Sequence, residues 1–380
     1  MTNQSSSSPS PILCASFNQD YSGFSIGTRD GFKIFDSDSG RLCYCRAMGA
    51  FNIVEMMFGS SLLAIVGAGE QPSLSPRRLC LFNTKTGAAA RELNFLTSIL
   101  AVRLNMKRLI VLLQDKTYIY DLNSLAILDT IDTVSNPKGL CAFSPNSVSC
   151  YLALPASTTK GSVLLYNVME LQSHCEIEAH RSPLAAIALS SNGLYIATAS
   201  EQGTIIRVHL VTQATKSYGF RRGTYPSAIY SLSFGPSMQL PDILVATSSS
   251  GSVHVFSLAF MINQRSKRSS SLLGSMIPNK INDAFEPAHH YVLPNAVPAG
   301  VKSYVMIRGR GADTVAGISP LSQPVISQAL ITIITFSGYF QQYKFSINHA
   351  SSGSWSLERE LNLLTAILDN VSLLAFLLDM

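Results

Sequence analysis

Charge is scarce in this chain: Asp, Glu, Lys and Arg make up 13% of its residues, against 47% apolar. That balance excludes a disordered chain and leaves ample side chains for a core. Basic residues outnumber acidic ones by 28 to 23, a net +5 that suits an anionic partner without identifying it. Acidic clusters with metal-ligand spacing are absent, as are a G-x-S-x-G elbow and an H-E-x-x-H helix, so no enzyme, metal site or cofactor is expected. The sequence also lacks a basic stripe with interleaved aromatics, which argues against nucleic acid as a partner. Its seven cysteines (Cys14, Cys43, Cys45, Cys80, Cys141, Cys150 and Cys175) are odd in number and have no C-x-x-C pair. A disulfide framework is therefore not expected, and buried free thiols in a reducing, cytosolic setting are. Residues 1–10 are polar and serine-rich, without the basic and apolar regions of a signal peptide, and read as a disordered N-terminus.

What the chain does have is a recurring short strand, often a turn residue followed by alternating apolar positions and an aromatic. Seven copies are present: Asp30-Gly31-Phe32-Lys33-Ile34-Phe35, Arg78-Leu79-Cys80-Leu81-Phe82, Asp115-Lys116-Thr117-Tyr118-Ile119-Tyr120, Lys160-Gly161-Ser162-Val163-Leu164-Leu165-Tyr166, Gly203-Thr204-Ile205-Ile206-Arg207-Val208-His209, Gly251-Ser252-Val253-His254-Val255-Phe256 and Gly338-Tyr339-Phe340-Gln341-Gln342-Tyr343. From Phe35 to Phe256 the copies are spaced by 47, 38, 46, 43 and 47 residues, the period of a propeller blade. A second strand of small and β-branched residues precedes the copies, as in Leu62–Gly67 and Leu109–Leu113, and a polar turn joins each pair as a hairpin. One such unit cannot bury both faces of its sheet, whereas a ring of them can. The expected fold is all-β, a seven-bladed WD40-like β-propeller over residues 11–348.

The last step, Phe256 to Tyr343, is 87 residues long. Its excess reads as a long loop inserted in blade 6 over about 259–298, rich in proline and carrying Arg265, Lys267 and Arg268. Residues 349–380 read as a C-terminal tail with helical character. Its end, 361–380, is leucine-rich and long enough to cross a bilayer, but Asp369-Asn370 interrupts it and no basic cluster flanks it. An amphipathic or partly buried helix is the expectation there.

The chemistry centres on Phe220-Arg221-Arg222-Gly223. Successive side chains of a strand point to opposite faces, so Arg221 and Arg222 serve separate pockets, one toward each neighbouring repeat. Gly223 then lets the chain turn. Upstream lie His180, Ser182, Thr198, Ser200, Thr204 and Arg207, with Gly203 allowing close backbone approach; downstream lie Ser231, Ser248, Ser252 and His254. Hydroxyls and imidazoles supply hydrogen bonds, and guanidinium supplies the bidentate, charge-assisted kind that a phosphate monoester accepts.

These residues resemble the PROPPIN family, called WIPI proteins in animals. Phe220-Arg221-Arg222-Gly223 matches the family's F/L-R-R-G signature, and 179–185, 197–207 and 248–256 match the segments around it. Val66-Gly67-Ala68-Gly69, followed by Pro72 and Pro76, is similar to the family's second blade. The likeness covers roughly 11–346, most specifically 180–256. It implies an autophagy protein that associates peripherally with autophagic, endosomal or vacuolar membranes. It also implies two rim sites for phosphatidylinositol 3-phosphate and phosphatidylinositol 3,5-bisphosphate. By the family pattern, Thr198, Ser200, Gly203, Thr204, Arg207 and Arg221 belong to the first site, with His180 and Ser182; Arg222, Gly223, Ser231, Ser248, Ser252 and His254 belong to the second. A lipid-transfer protein of autophagy is implied as a partner of the second-blade region.

Two shallow sites on one rigid rim gain avidity, by roughly 10² to 10⁴, when both lipids lie in one plane. The inserted loop adds Leu272, Leu273, Met276 and Ile277 as candidates for insertion into the membrane interface, the alternative being a linker without lipid contact. A competing reading remains on the residues alone: a protein-interaction propeller whose basic rim binds an acidic protein.

Overall fold

In a computed structural model, the described residues are 11–146, 150–235, 243–257, 290–309, 327–347 and 353–367. Among them, seven antiparallel sheets of four strands follow one another along the chain, spanning residues 12–47, 51–94, 101–132, 142–180, 184–221, 229–293 and 303–362. They are the blades of the expected propeller. In every blade the strands pair in sequence order, and the seven recurring motifs are the seven third strands. The first strands line a central cavity of about 610 Å³. There Arg103 pairs with Glu55 at 2.6 Å while Ser16 donates to the same carboxylate at 2.9 Å.

The strand sequences follow from their place in the blade. Second strands are covered on both faces by neighbouring blades and are apolar almost throughout: Leu62–Gly67 is buried beyond its first residue, and Ile243–Ser248 is buried at every position. Fourth strands form the outer surface and turn polar, as in Ala88–Asn94, which is exposed except at Leu93. Apolar clusters fill the seams between blades. Between blades 5 and 6, Ala197, Ala199, Ile206 and Phe220 pack on Ile229, Leu244 and Phe256. Full burial of a side chain the size of Phe220 contributes about 1.5–3 kcal/mol.

Blades 1 and 7 each contain four strands drawn from their own end of the chain, so among the described residues no strand is exchanged where the ring closes. Side chains close it instead. Phe24, Phe35 and Leu42 of blade 1 pack with Ile334, Phe340 and Leu363. Arg308 pairs with Asp38, Arg359 donates to the Asp38 carbonyl at 3.0 Å, and Lys33 Nζ donates to the carbonyls of Leu363, Leu364 and Ala366 at 2.8–3.2 Å.

Three expectations are corrected here. The propeller does not end at 348: Gly353–Asn362 is the outer strand of blade 7, so the tail begins as strand and not as helix. A bulge in its pairing puts its apolar residues on opposite faces: Leu361 packs toward blade 1, and Trp355 packs its ring 4.6 Å from Phe345. The insertion in blade 6 does lie between the third and fourth strands, but it stops before 290, because His290–Leu293 pairs with Val253–Ser257. All seven cysteines are free, yet only Cys141 and Cys150 are buried. Residues 1–10 and 368–380 lie outside the described residues, as do Arg265, Lys267, Arg268, Leu272, Leu273, Met276 and Ile277.

Candidate functional site

Phe220 fixes the geometry of the arginine pair. It is the next-to-last residue of the outer strand Gln213–Arg221 of blade 5, fully buried, with its ring 5.4 Å from Phe256 of blade 6. Alternation then sends Arg221 to the opposite face, toward blade 4. Across the sheet Arg221 opposes Ile205, whose face carries Arg207, and Arg207 opposes Thr198. Ser200, two residues beyond Thr198 on the same strand, shares that face.

The blade 4 side is a connected polar cluster. His180 ends the outer strand of blade 4 and its Nε2 lies 3.0 Å from Thr198 Oγ1; the threonine hydroxyl in turn donates to the Arg207 carbonyl at 3.4 Å. Arg207 donates to the Ala179 carbonyl, crossing from blade 5 to blade 4. Burial, and secondarily the positive charge of Arg207, lowers the His180 pKa from 6.5 to about 4. A neutral His180 that donates from Nε2 to Thr198 is the consequence at neutral pH. The Arg221 side chain is exposed and forms no hydrogen bond or ion pair among the described residues, so its guanidinium is available to a ligand. Ser182 is half-buried in the link between the blades, and Thr204 is half-buried just before Ile205.

Gly203 joins the two sides. Its φ is +60°, and a Cβ there would overlap the Ser227 carbonyl oxygen, so any larger residue would displace the turn. Its own carbonyl accepts from Arg222 Nε at 2.6 Å, and Arg222 Nη2 donates to the Tyr225 carbonyl. The turn after the arginine pair is thereby clamped, leaving the Tyr225 side chain outside; that residue is 83% exposed. Burial lowers the Arg222 pKa.

Arg222 faces blade 6, whose contribution is a histidine pair. His254 shares a face with Ala246, its cross-strand partner, which packs toward blade 5. The Nδ1 of His254 lies 3.0 Å from Nε2 of His290 on the outer strand, the two rings stack at 5.2 Å, and His290 stacks on Phe256 at 4.5 Å. His254 is 4% exposed, and its Nε2 has no hydrogen-bond partner among the described residues. Burial, then His290 and Arg222, lowers the His254 pKa to about 3; burial, then Arg222, lowers that of His290. Ser248 is buried with its hydroxyl 2.9 Å from Ser250 Oγ, and Ser252 is half-buried just before the strand Val253–Ser257.

Two residues expected in the second site do not behave as expected. Ser231 faces blade 7, where its Oγ accepts from the Val305 amide at 3.0 Å. The cause is a bulge between Ile229 and Ser231: continuous pairing from Ile229 and Ser248 would oppose Ser231 to Ala246, on the His254 face, but the bulge opposes it to Thr247. Gly223 has open space where a Cβ would stand and no left-handed φ, so neither crowding nor backbone conformation requires glycine there. His290 is the residue that the sequence reading missed. The short run His290–Leu293, with its aromatic and β-branched residues, was a signal, obscured by its distance from the strand it pairs with.

The PROPPIN family model matches residues 11–309. Autophagy-related protein 18b of Arabidopsis thaliana is 69% identical over 94% of this chain and 97% of its own length. Among solved structures, Kluyveromyces lactis Hsv2 superposes with a TM-score of 0.68 at 17% identity, covering 93% of this chain and 99% of that one. KlAtg21, in a complex with the coiled-coil of AgAtg16, superposes with a TM-score of 0.69 at 22% identity and the same coverage. With the family model spanning most of its length and a relative so close along nearly all of it, this propeller belongs to the autophagy-related PROPPIN family.

Proposed function

We propose that this protein is a peripheral membrane effector that binds phosphatidylinositol 3-phosphate and phosphatidylinositol 3,5-bisphosphate through two rim sites, in autophagosome formation or in vacuolar and endosomal traffic. The observation that carries the reading is the division of polar groups by Phe220: Arg221 with His180, Thr198, Ser200 and Arg207 on one side, Arg222 with His254 and Ser248 on the other. Each side offers a guanidinium and neutral donors but no carboxylate among the residues named, which is the chemistry of a phosphate monoester site.

Both sites lie at one end of the propeller, around the turns 200–204 and 248–252 and the link 222–228, so that a flat membrane can meet them together. The exposed Tyr225 stands between them in the chain and suits the headgroup region, where amphipathic rings settle. The loop between strands Arg78–Asn83 and Leu62–Gly67 of blade 2, where Arg29 pairs with Glu70 at 3.6 Å, is the candidate dock for an autophagy lipid-transfer protein.

Vesicle flotation tests the lipid reading. The variant Arg221→Thr/Arg222→Thr is expected to lose flotation with vesicles containing phosphatidylinositol 3-phosphate while keeping the wild-type melting temperature within a few degrees. Undiminished lipid-dependent flotation sinks the assignment, and retained binding to an acidic protein in place of lipid would favour an interaction scaffold.

A further inference from the structure

We infer that His290 is a positioning residue of the second headgroup site: it sets the tautomer of His254 and, with it, forms a two-imidazole unit that takes up a proton when a phosphate binds. This rests on the reading of that site as a phosphate site. The carrying observation is geometric. Two stacked imidazoles share one hydrogen bond between His254 Nδ1 and His290 Nε2, and the remaining nitrogen of the buried ring, His254 Nε2, has no partner among the described residues.

A neutral pair has two arrangements. If His254 donates from Nδ1, its Nε2 carries a lone pair and repels a phosphate oxygen. If His290 donates from Nε2, His254 carries its proton on Nε2 and offers it to the phosphate. His290 thus acts on the ligand through His254, as a second residue orients a metal-bound histidine. Without such a donor, nothing selects the productive form of His254.

Electrostatics gives the proton linkage. In the free protein the positive charge of Arg222, from the end of blade 5, acts against protonation of both rings, His290 acts against protonation of His254, and no carboxylate among the described residues offsets them at either ring. Burial disfavours the charged form as well. A bound phosphate brings negative charge beside Arg222 and reverses that field, so one proton from solvent enters the pair more readily in the complex. The pair's proton affinity is higher bound than free, so binding strengthens as pH falls through the bound-state pKa toward the lower free-state one. Stacking on Phe256 holds His290 in place throughout.

The test uses the full chain carrying Arg221→Thr, which leaves only the second site, and soluble dibutanoyl phosphatidylinositol 3-phosphate as probe. Calorimetry at pH 6.5 in two buffers of different ionisation enthalpy counts protons exchanged, and titration at pH 7.5 gives affinity. His290→Phe keeps the stacking surface and removes the hydrogen bond: it is expected to weaken binding about two- to tenfold and to lower proton uptake. His290→Gln restores a donor without a titrating group, so affinity at pH 7.5 recovers while proton uptake does not. The phosphate's own titration is common to all three proteins and cancels in the comparison. Equal affinity and proton count for His290→Phe and its parent, or a loss in His290→Phe with unchanged proton count and no rescue by glutamine, overturns the inference. The phosphate-site reading fails separately, if Arg221→Thr/Arg222→Thr binds the probe as well as the single variant does.

Discussion

Replacing each arginine of the pair by lysine separates their roles, because the structure gives them different work. Arg222 holds two backbone carbonyls, those of Gly203 and Tyr225, with Nε and Nη2, and the rest of its fork remains for a phosphate. Arg221 holds none among the described residues. Lysine places its three donors on one atom and cannot span both carbonyls and a ligand. Hydrogen bonds from charged donors contribute about 1.5–3 kcal/mol each when buried; at this half-exposed position a combined loss of about 1–2 kcal/mol is the reasonable scale, roughly 5- to 30-fold in affinity. Arg222→Lys should therefore weaken binding of a soluble headgroup at the second site by that factor, while Arg221→Lys keeps both sites within about threefold of wild type. Calorimetry with dibutanoyl phosphatidylinositol 3-phosphate reads this as one weakened site of the two for Arg222→Lys alone. Equal losses for the two variants would refute the clamp and leave only a pair of interchangeable charges.

Ser231→Ala removes the acceptor of the buried Val305 amide and should destabilise the fold by about 1–3 kcal/mol, seen in denaturant melts, with headgroup affinity unchanged. A loss of affinity at constant stability would return Ser231 to the site. His180 and His254 have folded pKa values near 4 and 3, below the 6.5 of the unfolded chain. The unfolded state binds more protons across that interval, so their contribution is complete above pH 6.5 and is lost as pH falls toward 4 and 3. Each contributes at most about 1.4 kcal/mol per pH unit. Melting temperature should hold from pH 8 to 7 and fall below 6.5, less steeply in His180→Asn; an unchanged slope in that variant contradicts the assignment. Tyr225→Ala should weaken vesicle flotation about two- to fivefold and leave soluble headgroup binding unaltered, whereas equal flotation would place the ring away from the bilayer.

The sequence made the third strands legible because each carries an aromatic or imidazole at a repeating position, and it made the division of Arg221 from Arg222 legible because strand alternation is local. Ser231 was misplaced for a reason that alternation cannot carry. A single bulge moved it by one register and so to the other face, and equivalent irregularities occur in the first strands of blades 1, 2 and 5. Gly353–Asn362 was hidden by the leucines that follow it, and the bulge in its pairing breaks a simple alternation of faces. The pairing of His290 with Phe256 depends on contacts across the segment between them, and nothing in composition announces a partner 34 positions away.

The manner of ring closure has a consequence for how the chain can be handled. Among the described residues no strand is lent to the opposite end, so a cut or a fusion before Ile12 interrupts none of the described ladders of backbone hydrogen bonds, and every blade remains a four-stranded sheet. Among the described residues, blades 1 and 7 meet through side chains such as Phe24 against Phe340 and through side-chain bonds to main-chain carbonyls, as Lys33 and Arg359 make. Two fragments divided at a link between blades therefore each keep whole sheets, and their reassembly would be an association of finished surfaces rather than a refolding.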